Sequence, residues 1–177
     1  MTQRQEFRTL QTFSDFEIRE YAPCVLAEVK VSAQYSTASS SAFAYLFKYI
    51  SKGNKSSQQI AMTAPVIAAQ KADGSESDDW YVSFVMPSGS TFGRLPHPND
   101  PRVVLRELEA ETCIALSFRG KATEELSEKK VKELRAAAAR ENIAVSGETR
   151  ICRFDPPFKP GFLQYNEIVI PIYLREQ

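Results

Sequence analysis

The stretch from Ser39 to Ile67 begins S-S-S-A-F-A-Y-L-F-K-Y-I-S-K and ends I-A-M-T-A-P-V-I, and its two halves have different periods. In the first half Ala42, Phe43, Leu46, Phe47 and Ile50 fall on one face of a helix. Ser39 or Ser40 can accept from the first-turn amides and start it. Gly53-Asn54 can take the left-handed conformation that stops it, which predicts a helix over about 39–52 with Phe43, Leu46, Phe47 and Ile50 in the core. In the second half Ile60, Met62, Ala64 and Val66 alternate with Ala61, Thr63 and Pro65, as in a strand. Ala64-Pro65 marks an edge, a bulge or a strand end, because proline cannot donate to a ladder and pushes its predecessor toward extended geometry.

Outward from this stretch the pattern is mostly strand. Residues 1–14 are polar and read as a frayed end. Phe16–Tyr21 and Cys24–Val31 alternate and are separated by Ala22-Pro23. Ala68 to Asp79 is polar, carries Asp73-Gly74 and the acids Glu76, Asp78 and Asp79, and reads as a mobile surface loop. Trp80–Met86 is a strand. The proline- and glycine-rich segment 87–101 is a connector. Beyond it come strands at Val103–Leu108 and Thr112–Phe118. A helix at 122–141 follows, capped by Thr123 or Ser127, with Leu126, Val131, Leu134 and Ala138 buried. Strands at Thr149–Phe154 and Asn166–Leu174 end the chain. The order strand–strand–helix–strand–strand thus occurs twice, over about 16–87 and 102–174. Two ββαββ units can join their sheets into one barrel that leaves few edges open.

At 177 residues one domain, 1–177, is the expectation. The chain is 43% hydrophobic and 25% charged, which is ordinary globular composition. Twenty-two basic and 22 acidic residues cancel, so nothing favours a nucleic-acid or polybasic membrane partner. No apolar run approaches the roughly 20 residues that span a bilayer. The opening M-T-Q-R-Q-E-F-R lacks an apolar signal core, so the expected location is cytoplasmic. Cys24, Cys113 and Cys152 each lie in an apolar run and read as free thiols in a reducing compartment. With no C-x-x-C and a single histidine, a metal site is not expected.

Three motifs carry a resemblance. A-F-A-Y-L-F-K-Y-I, then G-N and I-A-M-T-A-P-V, together with F-E-I-R-E-Y-A-P near the start and F-D-P-P-F-K-P-G-F-L-Q-Y-N-E-I-V-I-P near the end, resembles the SOUL haem-binding protein family from Phe16 to Ile172. The resemblance implies an α+β fold: a distorted eight-stranded antiparallel β-barrel flanked by two helices, like the ligand-binding domains of GyrI-like regulators. It also implies a haem groove between the first helix and the loop before the last strand.

On that reading the groove residues are Tyr45, Lys48, Tyr49 and Lys52 of the helix and Phe158, Phe162 and Leu163 of the loop. Aromatic walls suit a flat macrocycle, and ammonium groups suit its propionates. The three prolines of 154–164 stiffen the loop, and Gly161 lets it turn. The bland alternative is an amphipathic helix surface. His97 is the one imidazole available to iron. Its place between two prolines favours a solvated loop residue over an axial ligand. Met62 and Met86 could ligate through sulfur, but a methionine in an apolar strand more often fills core. Glu167 starts an apolar strand. It is either a carboxylate facing a cavity, with acid–base use, or a paired surface group. The lone histidine and the lack of a G-x-S-x-G elbow argue against a catalytic triad.

The expected function is therefore non-covalent binding of haem or a related tetrapyrrole, for sequestration or transport without chemistry. A small-molecule hydrolase or isomerase using Glu167, and a protein-interaction module using the proline-rich loop, remain alternatives.

Overall fold

The computed structural model describes residues 2–32, 34–71 and 79–174. The strands are β1 (Gln3–Arg4), β2 (Phe7–Thr12), β3 (Glu17–Tyr21), β4 (Cys24–Ser32), β5 (Thr63–Ala64), β6 (Val66–Gln70), β7 (Asp79–Val85), β8 (Val104–Leu108), β9 (Glu111–Arg119), β10 (Thr149–Arg153) and β11 (Tyr165–Pro171). The helices are α1 (Tyr35–Ile50) and α2 (Glu124–Arg140), with one 3-10 turn at Gly161–Leu163. Of the surface loop expected from Ala68 to Asp79, residues 68–70 belong instead to β6 and Asp79 opens β7, where ladder pairing extends both strands; Asp73-Gly74, Glu76 and Asp78 lie outside the described residues.

One antiparallel sheet runs in the order β2-β3-β9-β11-β10-β6-β7-β4-β8. Without β2 the order is a palindrome of the two repeats: β3 answers β8, β9 answers β4, β11 answers β7, and β10 meets β6 at the centre. The doubled ββαββ pattern is thus present, and each unit places its first strand beside the other unit's second. The fold is the expected α+β arrangement of two helices and a curled antiparallel sheet. It differs in having a ninth strand and in staying open as a half-barrel.

That ninth strand comes from the segment expected to fray. β2 pairs with β3, and β1 pairs in parallel with β5. Every residue of β2 is exposed, so no burial alternation marks it in the sequence. Ladder bonds hold it, with the Phe7 ring 5.4 Å from that of Tyr21. Ala64 ends β5 and Pro65 separates it from β6, which fits proline's missing donor.

The helices lie on one face of the sheet, over a core that includes Val29, Leu46, Val82, Ile114, Leu134, Ile168 and Ile170. The other face carries a smaller apolar cluster with Tyr21, Leu26, Val85, Cys113, Cys152 and Val169. α1 starts four residues before Ser39, after Gln34, which makes no side-chain cap. Its buried stripe is Tyr35, Ala38, Ala42, Leu46, Tyr49 and Ile50. Alanines at two of these positions let the helix sit close to the sheet and rotate Phe43 and Phe47 out of the core. Both rings are exposed, against expectation.

The end of α1 is built on side-chain bonds. Lys52, not Gly53 or Asn54, takes the left-handed conformation, with φ 72°. Asn54 is buried, donates to the carbonyls of Tyr49 (3.0 Å) and Gln58 (2.9 Å), and accepts from the Gln58 amide (3.0 Å). The Gly53 amide donates to the Lys48 carbonyl at 2.9 Å, and a Cβ on Gly53 would run into that oxygen. Gly53→Ala should therefore cost about 1–3 kcal/mol of stability, as overpacking does, measured by urea unfolding. A loss under about 0.5 kcal/mol would show that the turn relaxes freely. α2 starts as expected, with the Thr123 hydroxyl accepting from the Leu126 amide. Among the described residues no helix is long and apolar enough to cross a membrane.

Candidate functional site

The segment between β10 and β11 is folded on itself by hydrogen bonds. Asp155 accepts from the Tyr165 amide (2.7 Å) and from Lys159 Nζ (3.0 Å). These contacts hold its carboxyl below the usual carboxylate range, the Tyr165 amide acting most strongly. Gln164 Nε2 donates to the Lys159 carbonyl at 2.8 Å, and Arg119 Nη1 to the Leu163 carbonyl at 3.0 Å. The loop's backbone groups are thus used internally, and its apolar side chains point outward. Phe158 is 87% exposed and Phe162 76% exposed, with Leu163 exposed beside them.

On α1 the exposed rings of Phe43 and Phe47 stack 5.7 Å apart at 13°. Phe43 also meets Phe84 of β7 edge-on at 5.3 Å. Phe84 faces Val66 of β6, and Val66 faces Arg153 of β10. Two strand spacings, about 10 Å, therefore separate the Phe84 backbone from the base of the aromatic loop. Arg153 fixes this spacing from the other side: it donates to the Tyr35 hydroxyl at 2.6 Å, and that hydroxyl donates to the Ala122 carbonyl at 2.7 Å. The helix start, the loop base and the approach to α2 are thereby tied together. Phe43 and Phe47 thus form an exposed stacked pair on α1, and Phe158 and Phe162 are exposed on the loop, with Arg119 and Lys121 beside it.

The helix residues singled out from sequence fall in three places. Lys48 and Lys52 are exposed near the end of α1. Tyr45 turns toward the connector, where Arg102 lies 3.9 Å over its ring and donates to its hydroxyl at 2.8 Å. Tyr49 is buried and donates to the Pro96 carbonyl at 2.8 Å, with burial pushing its phenol up to about 12. It offers no surface to a ligand. Phe43 and Phe47 do, and the signal that could have found them is the pair Ala38 and Ala42, small residues that mark the closely packed side of the helix.

His97 is exposed in the connector, and its carbonyl accepts from the Lys55 amide. Met86 is buried core and Met62 is partly buried against it. Among the described residues no group of three or more His, Cys, Asp or Glu is placed to hold a metal ion. The cysteines are free. Burial pushes the Cys113 thiol up to about 12 and raises that of Cys152 as well, so both stay protonated.

Glu167 lies on the face of the sheet opposite the helices and is 4% exposed. Arg19, equally buried, donates to both of its oxygens, at 2.9 and 2.7 Å, and Tyr165 donates to one at 2.8 Å. Arg19 also binds Glu17 and the Tyr21 hydroxyl, and its guanidinium sits 4.0 Å over the Phe7 ring. The carboxylate is buried, its charge is matched by the Arg19 guanidinium and both of its oxygens already accept hydrogen bonds. This arrangement fits a structural ion pair, not a general base.

Comparison with known proteins gives a consistent picture. A family model described as SOUL heme-binding protein matches residues 2–171. Heme-binding protein 1 of Xenopus laevis is 26% identical over 147 residues, which cover 82% of this chain and 77% of that protein. Among solved structures, the C-terminal domain of EcmrR superposes with a TM-score of 0.69 at 13% identity, covering 89% of this chain and 96% of that one. A hydrolase from Listeria innocua gives 0.60 at 13% identity, with 90% and 92% covered. At such identities the likeness to the last two is one of fold.

Proposed function

Because the chain belongs to the SOUL heme-binding protein family, we propose that it binds haem or a related tetrapyrrole between α1 and the 154–164 loop, and carries or stores it in the cytoplasm without altering it. The observation that supports this reading is two sets of exposed aromatics, Phe43 with Phe47 on α1 and Phe158 with Phe162 on the loop, on elements tied together through Tyr35 and Arg153. Isolated exposed apolar residues need no explanation, but rigid aromatics clustered at one groove do. Bound haem would supply a flat apolar macrocycle with two propionates and an iron open to axial ligands. The phenyl rings would cover the macrocycle faces, and Arg119, Lys121, Lys48 and Lys52 would meet the carboxylates.

The fit is to the macrocycle more than to the metal. The single histidine, His97, is held in the connector by its backbone and does not belong to either aromatic wall. His97→Ala should leave haem affinity within about threefold of the parent, or roughly 0.7 kcal/mol. A loss of tenfold or more, with a displaced Soret band, would make His97 an axial ligand. The overall reading is tested by titrating the apoprotein with haem and following absorbance. Saturable one-to-one binding is expected, and its absence would remove the proposal while leaving the fold untouched.

A further inference from the structure

The tip of the 154–164 loop suits a partner that is not a small molecule. Phe158, Phe162 and Leu163 project from it, 87%, 76% and 44% exposed, and together leave on the order of 400 Å² of apolar surface in water. That falls well short of the roughly 800 Å² per partner that a stable protein interface covers. Rings standing out on a narrow tip instead fit a soft medium that closes around them, as the interface of a lipid bilayer does.

The loop's backbone is compatible with that medium. Where water is scarce, an amide without a partner is costly. Pro156, Pro157 and Pro160 have no N–H to strand. The amides of Lys159, Leu163 and Gln164 donate to the carbonyls of Pro156, Pro160 and Gly161. The carbonyls of Lys159 and Leu163 accept from the Gln164 and Arg119 side chains. Cations stand at the base of the tip. Lys121 lies against Gly161, and Arg119 reaches the Leu163 carbonyl. Lys159 is the third, bonded to Asp155, the one carboxylate of the loop. Glu124 and Glu125, in the first turn of α2, offset part of this charge, so the rings supply most of the attraction and the cations select the surface. We propose that the haem-free protein docks by this tip on the surface of an anionic lipid bilayer. On the tetrapyrrole reading, docking brings the groove to a medium in which apolar macrocycles dissolve.

The test is cosedimentation of the haem-free protein with vesicles of phosphatidylcholine containing about 30% phosphatidylserine. Saturable binding is expected below about 1 mM lipid, weaker on pure phosphatidylcholine and weaker at high salt. Phe158→Ser with Phe162→Ser should lower binding by roughly tenfold or more. Both rings are exposed, so an unchanged melting temperature is expected of that variant. Lys121→Gln should lower binding to the anionic vesicles roughly fivefold, the share of one cation near such a surface. Phe92→Ser removes an exposed ring of the connector and should bind as the parent does. Absence of vesicle binding, no preference for the anionic vesicles, equal binding by the double variant, or an equal loss in Phe92→Ser would each overturn the proposal. Self-association in place of vesicle binding, abolished in the double variant, would give the rings to a second copy. Haem is absent throughout, so failure here and failure of the haem titration are separate results.

Discussion

Arg19→Met lowers the unfolding free energy by about 3–5 kcal/mol, the cost of removing one member of a buried ion pair. The loss arises because the Glu167 carboxylate stays behind, still buried, with only the Tyr165 hydroxyl to satisfy it. Glu167→Gln should cost less, since an amide carries no charge to leave unpaired. The variant with both residues changed to methionine should recover much of the single-site loss, because two apolar side chains of similar volume can replace a buried pair at little cost. Urea unfolding of the two single variants and the double variant gives the coupling directly. Additive losses, or a single loss below about 1 kcal/mol, would mean that water reaches the pair and that its burial is not what holds the N-terminal strands.

Phe47→Ala and Phe162→Ala each reduce haem affinity by about 1–3 kcal/mol, roughly 5- to 150-fold, the value of apolar area covered by the macrocycle. Neither should move the melting temperature by much, since Phe47 is 49% and Phe162 76% exposed before any ligand arrives. Leu46→Ala is the contrast. Leu46 is fully buried under α1, and its truncation should cost about 2–5 kcal/mol of stability through the cavity it leaves. If Phe47→Ala instead melts early and binds haem normally, the ring belongs to the core and the groove lies elsewhere. If both variants bind like a tightly binding parent, the walls named here are not the walls of the site.

Local pattern made the fold legible where a run is apolar enough to be buried. The strand runs at Cys24, Trp80 and Thr112 have that character, each mostly buried on both faces of the sheet, and the repeat order followed from them. The N-terminal strands did not, because β2 is exposed throughout and its evidence is hydrogen bonding to a partner rather than a hydrophobic pattern. For α1 the period was right and the phase wrong. Phe43 and Phe47 are the largest apolar residues in the helix, so size pointed to them, whereas close packing against β4 and β7 selects alanines. The Arg19–Glu167 pair was hidden for another reason. In F-E-I-R-E-Y the charged residues read as a wet face, but that face is covered by the curl of the sheet and by Phe7. The loop aromatics were legible because prolines and a glycine limit what such a segment can do.

The palindromic strand order has a consequence for how this chain is made. β3 finds its ladder partner in β9, and β4 finds its second neighbour in β8, so neither repeat is complete when the first leaves the ribosome. At 5–20 residues per second, the roughly 90 residues between Tyr21 and Cys113 take on the order of 5–20 s to synthesise. For that interval the nascent first repeat presents one open edge at β4 and another at β6. The connector of residues 87–101 is therefore not a seam at which two modules can be cut apart. It is the point at which translation still owes the first half its neighbours.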